Sequence, residues 1–310
     1  MKTTCIAILC FCSLSMFAQE SVTLKLNLIK GNKYQVKTTS EQSINTSFNG
    51  MQQTSGIANV SYMSLVPLAL GQKSISCEVA FDSISTKSNM SGMKMDINSS
   101  KGGNINSSNM SEVMSEIMAR LSKSKLKVIL SYEGKVIAIN NITVVTDSVC
   151  KGLDSLKGQM APMISMQVKL MVNEASLKGM IEANTAYLPS KPIKIGETWN
   201  TTYTQSSGGI GFTVATEYKL TAIKDKKAEV SGNATLEPAG TAPMEMNGAK
   251  ISYDVRGLSK STLFVDVTTG WLQRGSVKSH MKGNMNVSMN GNDMVIPVEI
   301  DNNSESTVIH

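Results

Sequence analysis

The sequence predicts a mostly β protein, built of antiparallel curved sheets or half-barrels, in two related halves with a few helices. Three observations predict it. Apolar and polar residues alternate over long stretches, three Asn-Gly pairs punctuate those stretches, and helical spacing is confined to a few segments.

A strand places successive side chains on opposite faces, so sustained alternation marks a strand with one buried face. Val22, Leu24, Leu26 and Leu28 share one such face, and so do Ile75, Cys77, Val79 and Phe81. Phe212, Val214, Thr216, Tyr218 and Leu220 repeat the pattern, and Ala228, Val230, Ala234 and Leu236 follow it around Gly232. The pairs Asn49-Gly50, Asn247-Gly248 and Asn290-Gly291 supply residues that tolerate the positive φ of tight hairpins. Met285-Val287-Met289 before the last pair and Met294-Ile296-Val298-Ile300 after it predict a C-terminal hairpin. Pro297 cannot donate to a ladder, so its strand is expected at a sheet edge.

Helical spacing of three and four joins Met110, Val113, Met114, Ile117, Met118 and Leu121, with Asn109 or Ser111 as the cap. Asp147 to Lys157 and Asn173 to Ala186 are two further candidate helices. Ser85 to Ser108, rich in Ser, Asn, Gly and Met, reads as a mobile loop or a weak hairpin.

Two short internal matches suggest duplication. Gly31 and Gly196 each stand three residues before an aromatic, Tyr34 and Trp199, that opens a strand. Leu126 to Val136 around Gly134 resembles Leu263 to Leu272 around Gly270. The resulting division is a signal peptide at 1–18, an N-terminal β-rich half at 19–143 with a helical insertion near 109–122, a helical connection at 144–188, and a C-terminal β-rich half at 189–310. Chance similarity is the alternative.

The signal segment is read from Lys2, the apolar run Cys5 to Phe17, and the small Ala18 before Gln19 and Glu20. That run is shorter than the ~20 residues of a permanent span. Cys10 and Cys12 follow Leu9 and Phe11, so no lipoprotein signal is expected. No later segment reads as transmembrane. The chain is therefore expected to be exported, to the periplasm or the cell surface. Its net charge of +6 becomes +5 once Lys2 is removed, and its lysines are dispersed, so no nucleic-acid partner is expected. Cys77 and Cys150 remain of five cysteines, with buried free thiols favoured over a disulfide.

Leu188-Pro189-Ser190-Lys191-Pro192-Ile193-Lys194-Ile195-Gly196-Glu197-Thr198-Trp199 resembles an uncharacterised family of exported gram-negative proteins with a domain of unknown function. Phe81-Asp82-Ser83 and the signal segment add to the resemblance. It implies a mostly β envelope protein and brings no catalytic residues. A looser similarity, of architecture alone, is to lipoprotein-carrier half-barrels that cup an acyl chain.

Catalytic chemistry is poorly supplied. The only two histidines are His280, expected as an exposed or structurally bonded imidazole, and the terminal His310. No nucleophile elbow, phosphate loop, dinucleotide fingerprint or zinc-protease motif occurs. Asp82, Glu133, Asp254 and Asp266 are not brought together by any pattern. The protein is thus read as non-enzymatic, without cofactor or metal. Twenty-one methionines include Met90-Ser91-Gly92-Met93-Lys94-Met95 and Met244-Glu245-Met246, whose tight spacing could serve Cu(I), a lesser reading. Unbranched, polarizable thioethers also adapt to apolar ligands of varied shape. The leading expectation is therefore an apolar or lipid-like ligand, with Met110, Met114, Ile117, Met118, Met285 and Met289 as its candidate wall. The alternative is a structural or interaction protein of the envelope. Asp82-Ser83-Ile84, Asp147-Ser148-Val149 and Asp154-Ser155-Leu156 also resemble short O-glycosylation acceptors.

Overall fold

A computed structural model describes residues 21–48, 50–90, 93–156, 161–207, 210–240, 243–246, 249–289 and 291–309. The segment 1–18 expected as a signal peptide, Asn247-Gly248 and His310 lie outside them.

The chain opens with an extended stretch and then forms β1 (Tyr34–Phe48), β2 (Met51–Leu70), β3 (Ser74–Met90) and β4 (Met93–Asn98). Helix α1 (Met110–Lys123), β5 (Leu126–Ser131) and β6 (Val136–Ile139) follow. Helices α2 (Ile142–Cys150), α3 (Ala161–Met171) and α4 (Glu174–Thr185) make the connection. The rest is strand: β7 (Thr198–Ser207), β8 (Ile210–Lys224), β9 (Lys227–Pro238), β10 (Met244–Met246), β11 (Ala249–Asp266), β12 (Leu272–Met289) and β13 (Asn292–Ile309).

These strands build one sheet, not two. Its order is β6-β5-β3-β2-β1-β13-β12-β11-β9-β8-β7, with β4 beside β3 and β10 beside β11. Every pairing is antiparallel. The two strand runs join where β1 pairs with β13, and the sheet remains open because β6 and β7 do not pair. Gly31 (φ +82°) and Gly196 (φ +93°) stand before β1 and β7, the first strand of each run. Gly134 (φ +82°) and Gly270 (φ +68°) turn the chain from β5 into β6 and from β11 into β12. The two internal matches therefore fall on equivalent turns.

The hairpin reading is sound in register. Ladders close at Phe48↔Met51, Met246↔Ala249 and Met289↔Asn292, leaving two residues for each turn. Gly50 and Gly291 have φ of +77° and +79°. Three expectations need correction. Pro297 lies on β13, which is flanked by β1 and β12 and is not an edge strand. The ladder from β1 ends at Val298, so the proline sits one residue beyond it and breaks no bond on that side. Leu24, Leu26 and Leu28 are buried as their alternation implied, yet they form no strand of the sheet. Their stretch is an extended plug across one end. Leu26 N–H donates to Tyr132 O, Asn27 N–H donates to Thr269 O, and Val22 makes a lone bridge to Ile193. Finally, α2 begins at Ile142, five residues before the helix expected from Asp147, and α3 was not separately anticipated.

Helices α1 and α4 match their sequence patterns. Asn109 Oδ1 accepts from Ser111 N–H, and Asn173 Oδ1 accepts from Ser176 N–H, as N-caps do. The stretch Ser85 to Ser108, expected as a mobile loop or a weak hairpin, is a hairpin of β3 and β4 for its first part, and Ser111 and Ser115 hydroxyls accept from the free edge of β4 at Asp96 and Asn98. Helix α4 packs on β7 and also reaches β6, so it sits in the seam between the two ends of the sheet. Gly179 makes this possible, because a Cβ there would lie 2.4 Å from Thr204 O. Among the described residues, no helix is long and apolar enough to cross a membrane.

Candidate functional site on the concave face

The strand registers define one face of the sheet as a set of lateral rows. The helices pack on this face at one end, burying the main core with Leu24, Ile117, Leu130, Leu177 and Trp271. At the other end Phe212 (β8), Leu236 (β9), Val255 (β11), Met281 (β12) and Ile300 (β13) form a second cluster. No helix contributes to this cluster among the described residues, although Val255 is 0% and Phe212 2% exposed. The covering atoms are those of the sheet itself, so the sheet curls over this face as a half-barrel.

Between the two apolar ends the same face turns polar. One lateral row runs Ile44–Ile300–Met281–Gly257–Leu236–Val214 and is apolar throughout. The adjacent row runs Gln42–Asn302–Ser279–Ser259–Ala234–Thr216 and ends at Thr201 on β7. In the other direction it passes through Ile57 to Ser88 on β3. The next row carries Asn59, Ser40, Ser304 and Ser261, and passes Tyr218 to end at Trp199 on β7. Beyond it Thr38 and Ser306 join hydroxyls at 2.9 Å before Val36 and Val308 restore the apolar pattern. Much of this belt, including Ser40, Gln42, Asn59, Ser279, Asn302 and Ser304, is partly exposed although it faces inward, so it lines open space.

Beneath α4, part of the belt borders a cavity of about 80 Å³, bounded by Thr216, Ser259, Ser261 and Ser306, with Tyr203, Tyr218 and Glu182. Burial pushes the Tyr218 phenol up to about 12, against a smaller opposing effect of its bond with Thr216. Burial likewise raises Tyr203, so both remain neutral donors. Glu182 Oε1 accepts from Val136 N–H at 2.9 Å, capping the free edge of β6, and stands 4.0 Å from Lys178 Nζ. Burial dominates its surroundings and raises its carboxyl above the usual range.

The methionine and isoleucine candidates divide between the two ends. Met114, Ile117 and Met118 are buried in the main core, with Met110 packed at its margin. A ligand would reach them only if α1 moved. Met285 packs partly exposed beside the second cluster, and Met289 is 43% exposed at the hairpin tip. The two groups belong to separate clusters and do not converge. Both cysteines are free, with Cys77 buried and Cys150 partly so. In the Met90–Met95 and Met244–Met246 groups, the side chains of Met90, Met93, Met244 and Met246 lie outside the described residues.

The outer face is charged. A groove of about 980 Å³ there crosses β13, β1, β2, β3 and β4 at Asp301, Glu41, Ala58, Lys87 and Asp96, also borders Gln42, Ile57 and Ser88 of the belt row, and has the start of α1 as a wall. Its walls carry the charged Glu41, Lys87, Lys94, Asp96, Lys101, Glu112 and Asp301, which do not suit an apolar ligand. His280 is exposed on this face, its Nδ1 2.7 Å from Asp301 Oδ1 and its Nε2 3.6 Å from Glu299 Oε1. Lys282 also pairs with Glu299 at 3.2 Å, so the group forms a solvated polar network. Of the three Asp-Ser sites, Ser148 and Ser155 are exposed, whereas Ser83 is partly buried and bonded to Ser100.

A family model matches residues 72–272, from the start of β3 to the start of β12, and includes the proline-flanked motif that opens β7. The chain belongs to DUF6263, a family of unknown function. No curated protein matches this DUF6263 chain. Among solved structures, lipovitellin aligns with TM-score 0.52 and 10% identity over 91% of this chain and 25% of that one. The DUF6263 chain thus spans a quarter of that protein, and the likeness is one of fold. The outer membrane protein OprG from Pseudomonas aeruginosa aligns at TM-score 0.25 and 7% identity, over 91% of this chain and 97% of that one. A lipoprotein-sorting protein domain from Vibrio parahaemolyticus aligns at 0.14 and 8%, over 86% and 83%. Scores this low carry no argument about DUF6263.

Proposed function

We propose that this protein is a non-enzymatic, exported envelope protein that binds an apolar or lipid-like ligand on its concave face. The observation that carries this reading is the apolar wall continuing beyond the second cluster toward the hairpin tips. There Met285 pairs with Ile296 and Val287 with Met294, all partly exposed on the inward face with no helix packed over them among the described residues. Apolar side chains left accessible on a concave surface have a favourable transfer term to gain from a ligand, about 25 cal/mol per Å² covered. Unbranched Met285 and Met289 let that wall adjust to chain shape. Supporting this only as a parallel of fold, the lipovitellin structure is described for its lipid–protein interactions.

Uptake of a fluorescent acyl probe by the mature protein tests the reading. Met285→Glu, which places a charge on the proposed wall, should weaken uptake by about tenfold or more, since an unpaired charge is poorly tolerated there. Uptake unchanged by Met285→Glu, with the fold intact by circular dichroism, would remove the site from this face. The outer groove of about 980 Å³ favours a second reading, a polar envelope partner held across β1 to β4. Pull-down abolished by Lys87→Glu but not by Met285→Glu would favour it.

A further inference from the structure

We infer that the hydroxyl belt is a head-group site, and that it selects an uncharged, hydrogen-bonding head group over an anionic one. This inference rests on the proposed apolar-ligand reading and deepens it. The belt adjoins the apolar wall directly: Gln42, Asn302 and Ser279 lie one row from Ile44, Ile300 and Met281. An acyl chain along the wall would therefore bring its polar end to these side chains.

Two features argue that the belt is built for a partner. Ser88 Oγ and Thr201 Oγ1 are buried without any hydrogen-bond partner, on residues only 7% and 6% exposed. They stand far apart on the same lateral row, Ser88 on β3 next to Met95 of β4 and Thr201 on the last strand, β7. A buried polar group without a partner is costly, and such groups are rare in folded proteins. A row that carries two of them, and is partly open between, has spare capacity for hydrogen bonds.

The second feature is the sign of the charge. From Ser88 to Thr201, and along the neighbouring row from Thr86 to Trp199, the inward side chains are hydroxyl, amide, aromatic or apolar, and none is a lysine or arginine. Lys37, Lys87, Lys260 and Lys278 all lie on the outward positions of these strands. On α4, Glu182 borders the cavity beneath the belt, and Lys178 beside it, at 4.0 Å, is already matched by that acid. A phosphate or carboxylate held between Asn302 and Thr216 would lose its hydration and find no cation on that row, since Lys87, Lys94 and Lys101 stand in the groove at its Ser88 end. A polyol, ester or amide exchanges hydrogen bonds with Ser, Thr, Asn and Gln at little cost.

The test compares two probes of equal acyl chain, a monoacylglycerol and the corresponding lysophosphatidate, each below its micelle concentration, binding to the mature full-length protein. The monoacylglycerol should bind at least about tenfold tighter, a difference of ~1.4 kcal/mol. Ser304→Lys, which adds a cation beside the belt, should narrow or reverse that ratio, whereas Met285→Glu should weaken both probes together. Equal binding of the two probes, or tighter binding of lysophosphatidate to the unaltered protein, would overturn the head-group inference while leaving the apolar wall standing. Failure of both probes to bind would overturn the wall itself, and the belt with it.

Discussion

Glu182 joins the two ends of the open sheet, and its replacement has a calculable consequence. Its carboxylate accepts from the free-edge N–H of Val136 at 2.9 Å while its own residue is only 5% exposed. Glu182→Ala removes the acceptor and leaves that N–H in a buried site, at a cost of ~1–3 kcal/mol. Glu182→Gln keeps a carbonyl oxygen at the same place and removes the charge whose desolvation raises the carboxyl pKa. The second variant should therefore match or exceed the unaltered protein at neutral pH. The pH dependence has a definite sign. Because the folded pKa is raised above the ordinary value of 4.5, the contribution of Glu182 to stability is full below that value and is lost as pH rises through the folded pKa. Urea unfolding at a series of pH values is the assay. Glu182→Gln should lack this part of the pH dependence, and Glu182→Ala should be less stable than Glu182→Gln at every pH. If Glu182→Gln fell as far as Glu182→Ala, the charge of Glu182, paired with Lys178 on the same helix, would matter more than its bond to Val136. If its pH profile coincided with that of the unaltered protein, the buried-carboxylate account would be wrong.

Two other expectations follow from single positions. Gly270 has φ of +68° and would place a Cβ 2.1 Å from Lys25 O, whereas Gly196 has φ of +93° with nothing within 4 Å of a Cβ. Gly270→Ala should thus lower the thermal midpoint more than Gly196→Ala, which carries only backbone strain of ~1–3 kcal/mol; equal losses would show that the plug yields to the turn. Burial pushes the Cys77 thiol up to about 12. In the native protein Cys150 should react with a thiol reagent well before Cys77, both should react in denaturant, and a disulfide-linked mass would contradict the arrangement of the two residues.

Much of the fold was legible because its strands have one buried face. Ile75, Cys77, Val79 and Phe81 alternate in sequence and are all buried on β3. The Asn-Gly pairs marked hairpins because positive φ is a local demand. What stayed hidden depends on lateral neighbours. Alternation in Val22 to Leu28 reports an inward face and cannot say whether a ladder or a plug provides it. Pro297 indicated an edge, because the length of β1 beside it is not written in β13. Met114, Ile117 and Met118 correctly marked an apolar helix face, but nothing local distinguishes a closed core from a ligand wall. The polar belt had a signal that went unread. On β13 the inward residues change from Met294, Ile296, Val298 and Ile300 to Asn302, Ser304 and Ser306. On β1 they change from Val36 to Thr38, Ser40 and Gln42, and back to Ile44. Each switch looks like a weak strand alone, and only the register aligns them into a band.

The most direct measurement of the central claim is native mass spectrometry of the mature protein purified from its own host, followed by organic extraction and lipid analysis. An acyl species at fixed stoichiometry, lost in Met285→Glu, is the predicted result. A clean apo mass that takes up no added monoacylglycerol would contradict ligand binding on the concave face.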